Sequence, residues 1–293
     1  MAARAISLAA GVLPDFSPPE TVSAAAAAGF DATGVWVDPK TWTATTTRET
    51  RARLADGAIP VLDVEVIWIR PGPDSPDHFR ILDIGAELGA ANALVVSSEP
   101  DETAAARKLA RIVAHGRDVG VRVSLEFGFF TEVKSLDAAM RLLDDCGAPD
   151  AGLLIDPLHL RRTGGRPEDV ARIPASRFAY AQFCDAPDGG PGAADIPGII
   201  TEALDLRMMP GEGDLPLVAL LDSLPDDLPL SVELRSKALR DAYPDAADRA
   251  VALARSTRSY LAKVDRAREC DGSADCRSGA LPFVPARDLG NLR

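Results

Sequence analysis

Basic charge is scarce in this 293-residue chain: 32 Lys and Arg stand against 44 Asp and Glu, a formal net charge of -12. Such a balance repels polyanions, and no basic stripe compensates for it, so nucleic acid is not an expected partner. The four cysteines, Cys146, Cys184, Cys270 and Cys276, are too few and too scattered for a disulfide framework, and none forms a CxxC zinc pair. Cys270 and Cys276 sit in a polar tail and are expected as idle thiols that would bridge only under oxidation; a reducing cytoplasm fits this usage best. No apolar run approaches the ~20 residues needed to cross a bilayer. The apolar Ile6 to Leu13 is short, interrupted by Ser7 and Gly11 and followed by Pro14, and reads as strand and loop rather than as a signal peptide. No GxGxxG follows the first strand, which weakens a dinucleotide-binding reading.

What is present is ordinary globular composition, 46% hydrophobic and 26% charged, enough to bury a full core. Eight short apolar runs recur: AISLAA (5–10), TGVWV (33–37), PVLDVEV (60–66), ALVVS (93–97), VRVSLEF (121–127), AGLLID (151–156), FAYAQF (178–183) and LPLSVEL (228–234). Most are apolar without alternation, as strands buried on both faces are. Helical periodicity fills the gaps at Pro76–Leu88, Asp101–Val119, Ser135–Cys146 and Pro244–Lys263, with polar or proline starts and stops at Gly89, Gly120 and Gly147. The Ala24–Ala28 tract before Gly29 reads as the packed face of the first helix. Alternating strand and helix in eight repeats predicts an α/β fold, a (β/α)₈ TIM barrel, in one domain over 1–265, with a polar C-terminal tail over 266–293. The longest connection, Ala186 to Pro229, holds PGEGDLP (210–216), and a loop of that length in a compact domain is usually functional.

Four separated strands each end in a polar side chain: Glu126, Asp156, Gln182 and Glu233. All C-terminal strand ends of a parallel barrel open on one face, so these four are expected to converge. Three carboxylates buried together call for a counter-charge, and an all-oxygen shell suits Mg²⁺ or Mn²⁺ better than zinc. His159, three residues after Asp156, is placed to hold a substrate oxygen, whereas His78 and His115 fall on helix patterns where solvent exposure is expected. Glu65 and Glu99 end or follow the third and fourth strands and point towards the same mouth, as substrate contacts or as loop braces. Arg207, Arg161 and Arg162 are candidates for binding a substrate carboxylate or phosphate. Trp36, Trp42, Trp68, Phe127, Phe129 and Phe130 cluster after strand ends and are candidates for a pocket wall.

At LLIDPLHL, FAYAQFCDAP, PGEGDLP and LPLSVELRS the chain resembles the xylose isomerase-like TIM-barrel superfamily of sugar phosphate isomerases and epimerases. The likeness rests on Asp-x-x-His after strand six, a strand-seven polar residue followed three positions later by Asp185, the PGEG loop, and Glu233 on strand eight. It implies a metal held by Glu126, Asp156, Gln182 and Glu233, with Glu126 and Glu233 as acid and base, and His159, Glu65, Arg207, Asp185 and Glu99 toward a small hydroxy-carbonyl substrate. Gln182 stands where the superfamily usually has histidine and resembles the 3-dehydroshikimate dehydratase branch. The endonuclease IV branch needs several histidines, which three do not supply. The expected activity is a Mg²⁺- or Mn²⁺-dependent isomerase or epimerase working through a metal-stabilised enediolate. A dehydratase on the same site, or a non-catalytic barrel, remains an alternative. A homo-oligomer is expected on general grounds, dimers and tetramers being common.

Overall fold

All eight apolar runs form parallel strands in the computed structural model, which describes residues 4–272. They are β1 (Ile6–Leu8), β2 (Ala32–Trp36), β3 (Val61–Ile69), β4 (Asn92–Ser97), β5 (Arg122–Glu126), β6 (Gly152–Leu154), β7 (Ala181–Phe183) and β8 (Leu230–Val232). Their order is β6-β5-β4-β3-β2-β1-β8-β7, so β1 sits between β2 and β8 as a barrel requires. A parallel bridge from Leu153 to Phe178, and a bond from Gln182 N–H to the Ile155 carbonyl (2.9 Å), join β6 to the β7 segment and close the ring. Closure leaves no sheet edge exposed, the usual solution for an all-parallel sheet.

Around the strands lie α1 (Pro18–Ala27), α2 (Ala44–Gly57), α3 (Pro76–Leu88), α4 (Glu102–Val119), α5 (Leu136–Asp145), α6 (Pro157–Arg162), α7 (Pro167–Val170), α8 (Ile196–Asp205), α9 (Leu217–Ser223), α10 (Lys237–Ala242) and α11 (Ala246–Gly272). Local chemistry sets several boundaries. Asp101 accepts from the Ala104 N–H (3.0 Å) at the start of α4, and Gly120, at φ +80°, ends it in a left-handed conformation that costs glycine little. α4 buries Ala105, Leu109, Ile112, Val113 and Gly116, one stripe of a 3.6-residue period. The main core lies between strands and helices. A second cluster, Leu62, Leu94, Val96, Leu154 and Tyr180, fills the barrel itself.

Several expectations change. The connection from 186 to 229 is not a long loop but carries α8 and α9, whose short lengths and flanking prolines hid their periodicity. α11 runs on to Gly272, past position 265, and Arg268 on this extension pairs with Asp222. The remaining tail, Cys276 included, lies outside the described residues. His78 is buried rather than exposed: it stands on the inner face of α3 with Ile81, Leu82 and Gly85, and its Nε2 lies 3.1 Å from the Trp68 carbonyl oxygen. His115 is half-buried, with Nε2 2.6 Å from Asp83 Oδ1. Among the described residues, no helix is long and apolar enough to cross a membrane.

Candidate active site

Glu126 is the last residue of β5, Asp156 and Glu233 lie just beyond β6 and β8, and Gln182 is in the middle of β7. All four are buried. The end of the Gln182 side chain is their meeting point. Its amide oxygen faces only carboxylate oxygens; with the amide turned over, its nitrogen lies 2.6 Å from Glu126 Oε1, 2.9 Å from Asp156 Oδ2 and 3.3 Å from Glu233 Oε2. Asp156 is also the N-cap of α6: its Oδ1 accepts from the His159 N–H (2.9 Å), which fixes the carboxylate and brings His159 to the same group. Glu126, Asp156 and His159 each offer one ligand atom within 4.8 Å of the other two, and among the described residues theirs is the one His, Cys, Asp and Glu group that does so.

A cation already belongs to this cluster. The guanidinium of Arg207, buried between α8 and α9, pairs with Asp156 Oδ2, and its Nη2 lies 2.9 Å from Glu233 Oε2 and 3.4 Å from His159 Nε2. Its Nε donates to the Ala203 carbonyl at the end of α8 (3.0 Å), which aims the side chain inward. Part of the counter-charge called for by the sequence is therefore Arg207, read there only as a substrate contact. The electrostatics follow from who stands next to it. Burial alone pushes the Asp156 carboxyl up, but Arg207 and then His159 outweigh it and hold Asp156 below the usual carboxylate range. Burial, then the Glu233 and Asp156 charges, push Glu126 well up. Glu233 is raised by burial with partial relief from Arg207. Burial lowers His159 to about 4, so its imidazole is neutral at pH 7 and free to accept a hydrogen bond or ligate.

Below the mouth lies a carboxyl pair of which the sequence reading singled out only half. Glu65 lines the cavity, and Asp63, two residues earlier on β3, is fully buried with its Oδ2 3.3 Å from the Tyr180 hydroxyl. Among the described residues, no hydrogen-bond partner reaches Asp63 Oδ1 or Glu65 Oε1. Burial raises Asp63 to about 7 and, with the Asp63 charge, raises Glu65 well above its ordinary value. The i, i+2 spacing in LDVEV was the available signal. Arg235 was also missed. It follows Glu233 by two residues in VELRS and reaches the same cavity.

That cavity has a volume of about 280 Å³ and is walled chiefly by Trp36, Val66, Trp68, Leu94, Val96 and Phe130, with Glu65, Glu126, His159, Arg207 and Glu233 on its polar side. Phe130 packs edge-on to His159, ring centroids 4.9 Å apart. The other aromatic candidates stay outside it. Trp42 is buried and donates to Thr47 Oγ1 (2.8 Å), and Phe127 belongs to the main core. Arg161 pairs with Asp188, and Arg162 reaches both Glu202 oxygens (2.7 and 2.9 Å), tying α6 to α8. Glu99 lies away from the cavity, held by Lys108 at 2.5 Å.

Asp185 has both oxygens engaged by backbone: Oδ1 accepts from Ala186 (2.9 Å) and Leu215 (3.1 Å), and Oδ2 from Gly211 (2.8 Å). It staples the PGEGDLP turn under the segment that carries Arg207. Asp185→Ala removes the partner of three backbone N–H groups, two of them buried, and is expected to cost about 2 to 4 kcal/mol, read as a fall in melting temperature of roughly 5 to 15 °C. An unchanged melting temperature would show that the staple contributes nothing.

The residues present fit a divalent cation. One guanidinium against three buried carboxylates leaves the cluster short of positive charge. Glu126, Asp156, Gln182 and Glu233, with His159 adjoining, would hold such an ion.

Comparison with known proteins agrees with this architecture. A curated 3-dehydroshikimate dehydratase of Pseudomonas putida is 25% identical over 218 residues, which are 69% of this chain and 33% of that protein. A solved xylose isomerase-like TIM barrel/4-hydroxyphenylpyruvate dioxygenase fusion protein superposes with a TM-score of 0.76 at 23% identity, covering 97% of this chain and 46% of the other. The chain thus spans a third of the curated relative and under half of the fusion protein. An L-ribulose 3-epimerase structure superposes with a TM-score of 0.67 at 17% identity, covering 92% of this chain and 99% of its own. With residues 22–259 matching the family model for the xylose isomerase-like TIM barrel, the chain belongs to that family.

Proposed function

We propose that this chain is a divalent-metal-dependent enzyme that removes a proton from carbon next to a carbonyl in a small hydroxy-carbonyl substrate, as an isomerase or epimerase does. The observation that carries the reading is the convergence of three buried carboxylates on the amide of Gln182 at the mouth of an apolar-walled cavity. A cation bound there would polarise the substrate carbonyl and stabilise negative charge developing on its oxygen. Oxygen donors from Glu126, Asp156, Gln182 and Glu233 suit Mg²⁺ or Mn²⁺, with His159 Nε2 engaged by Arg207 beside them.

The protein's own groups divide the remaining work. Glu126 and Glu233, whose burial raises both carboxyls towards neutrality, are placed to take a proton from carbon and return it. Neutral His159 accepts from Arg207 at Nε2, so its Nδ1 carries the proton; the ring is kept in place by Phe130. Arg207 offers charge-assisted donors where a substrate oxygen becomes negative. The apolar walls exclude water and strengthen each of these interactions.

A second reading, dehydration, is favoured by Gln182 and by those walls. Trp36, Val66, Trp68, Leu94, Val96 and Phe130 give a polyhydroxylated chain few partners, whereas a ring with one apolar face would fit them. The two readings share the proton abstraction and separate at the next step. Incubation of the Mn²⁺-, Mg²⁺- or Zn²⁺-loaded protein in D₂O with ketoses, ketose phosphates and cyclic hydroxy-keto acids is expected to put one deuterium on carbon for at least one substrate. Unchanged oxygen count identifies isomerisation or epimerisation, and loss of water with a new ultraviolet band identifies dehydration. Absence of both with every metal would sink the enzymatic reading.

A further inference from the structure

Apart from Arg207, which is spent on Asp156 and Glu233, the candidate cavity has among the described residues one cationic side chain, Arg235. Its guanidinium packs over the Trp36 ring, 5.9 Å from the centroid, and is half-buried. Among the described residues no carboxylate lies within ion-pair distance of it, and no side-chain hydrogen bond holds it. Arg70 also lies over a tryptophan, Trp68 (4.4 Å), but is exposed and off the cavity. The buried stems of Arg162 and Arg249 are held instead, Arg162 by Glu202 and Arg249 by Asp15 and the Val12 and Tyr243 carbonyls. In a chain of net charge -12, an unpaired arginine between a tryptophan face and a cavity stands out.

Its placement is set by the backbone. Glu233 and Arg235 follow β8 two residues apart and therefore share a side, and the Arg235 carbonyl accepts from the Arg207 N–H (3.2 Å), anchoring the strand extension to the Arg207 segment. Close to Gly11 the stem of Arg235 leaves little room: a Cβ at that glycine would stand 3.1 Å from Arg235 Cδ, so the lack of a side chain there lets the arginine lie along the strand ends. The Trp36 ring, 42% exposed, backs the guanidinium and leaves its edge donors facing the cavity.

Resting on the reading of the site as one for a chelating hydroxy-carbonyl compound, we infer that the substrate is an anion, with a carboxylate or phosphate held by Arg235 against Trp36. The cavity then offers its ligand three kinds of contact: vicinal oxygens towards Glu126, Asp156, Gln182 and Glu233, an apolar face along Trp68 and Val96, and the anionic group on Arg235. Arg235 sets specificity rather than chemistry, since a guanidinium stays protonated and takes no part in the proton transfer.

The test uses the Mn²⁺-loaded protein and two matched pairs of probes, 3,4-dihydroxybenzoate against 3,4-dihydroxybenzamide, and glucose 6-phosphate against glucose, titrated by calorimetry. Within at least one pair the anion is expected to bind about tenfold tighter than its neutral partner, and the pair that shows it tells carboxylate from phosphate. Arg235→Gln is expected to abolish that preference while leaving the neutral partner's affinity unchanged, and Arg235→Lys to restore part of it. Equal binding of anion and neutral probe, a preference that survives in Arg235→Gln, or no binding of either anion overturns the inference. Failure of the wild-type protein to bind Mn²⁺ would instead remove the metal-site reading beneath it.

Discussion

Glu233→Gln is expected to lower turnover by roughly 10³-fold or more while the barrel stays folded. The substitution preserves shape and removes only the charge and the capacity to exchange a proton. Arg207 keeps its pairing with Asp156, and the amide of Gln182 keeps Glu126 and Asp156 as neighbours, so the local structure retains its partners. What is lost is the carboxylate that faces both Arg207 and the cavity. If Glu233 served only to neutralise Arg207, the expected signature would be a lower melting temperature with kcat/KM nearly intact. If it handles a substrate proton, kcat falls with little change in melting temperature. Deuterium incorporation from D₂O, measured beside circular dichroism on the same preparations, separates the two, and a variant that exchanges at near wild-type rate removes Glu233 from the chemistry.

The parts of this architecture that the sequence made legible are those governed by strand and helix periodicity. Eight apolar runs gave eight strands, and because a strand's polar terminator falls at its C-terminal end, Glu126, Asp156, Gln182 and Glu233 were readable as one group from far-apart positions. Asp156-x-x-His159 was legible for a further reason: a cap and the third residue of its helix are adjacent in any first turn. Arg207 was named, but its part as an internal counter-charge was not. It stands in the irregular segment between α8 and α9, where no period predicts direction, and only the Ala203 and Asp156 contacts reveal that it points inward. Asp185 and Glu99 show the opposite effect. An acid near a strand end looks the same in sequence whether it meets a ligand or, as here, three backbone N–H groups or Lys108. His78 could have been placed correctly, since positions 78, 81, 82 and 85 form one helical stripe.

Divalent metal is expected to raise the melting temperature, and to raise it more at pH 8 than at pH 6. In the metal-free protein burial raises Glu65, Glu126 and Glu233, and Asp63 to about 7. A carboxyl whose pKa is higher folded than unfolded holds its proton in the folded state after the unfolded chain has released it. Its stabilising contribution is complete below the unfolded value near 4 and is lost as pH climbs through the folded value, so without metal the protein weakens from about pH 4 through pH 7 and above. Asp156, lowered by Arg207 and His159, contributes with the opposite sign but completes its titration below that window. Metal ligation requires the ionised forms, so cation affinity grows over the same range in which the free protein loses stability. At a free metal concentration a hundred times the dissociation constant the gain is about 2.7 kcal/mol, roughly 5 to 11 °C for a chain of this size. Asp63→Asn provides the internal control: it removes the titration centred near 7 without touching the proposed ligands, so the EDTA-treated variant is expected to lose less stability between pH 6 and pH 8 than the EDTA-treated wild type. A metal-induced shift that is the same at both pH values would mean that the cation binds elsewhere than among these raised carboxyls.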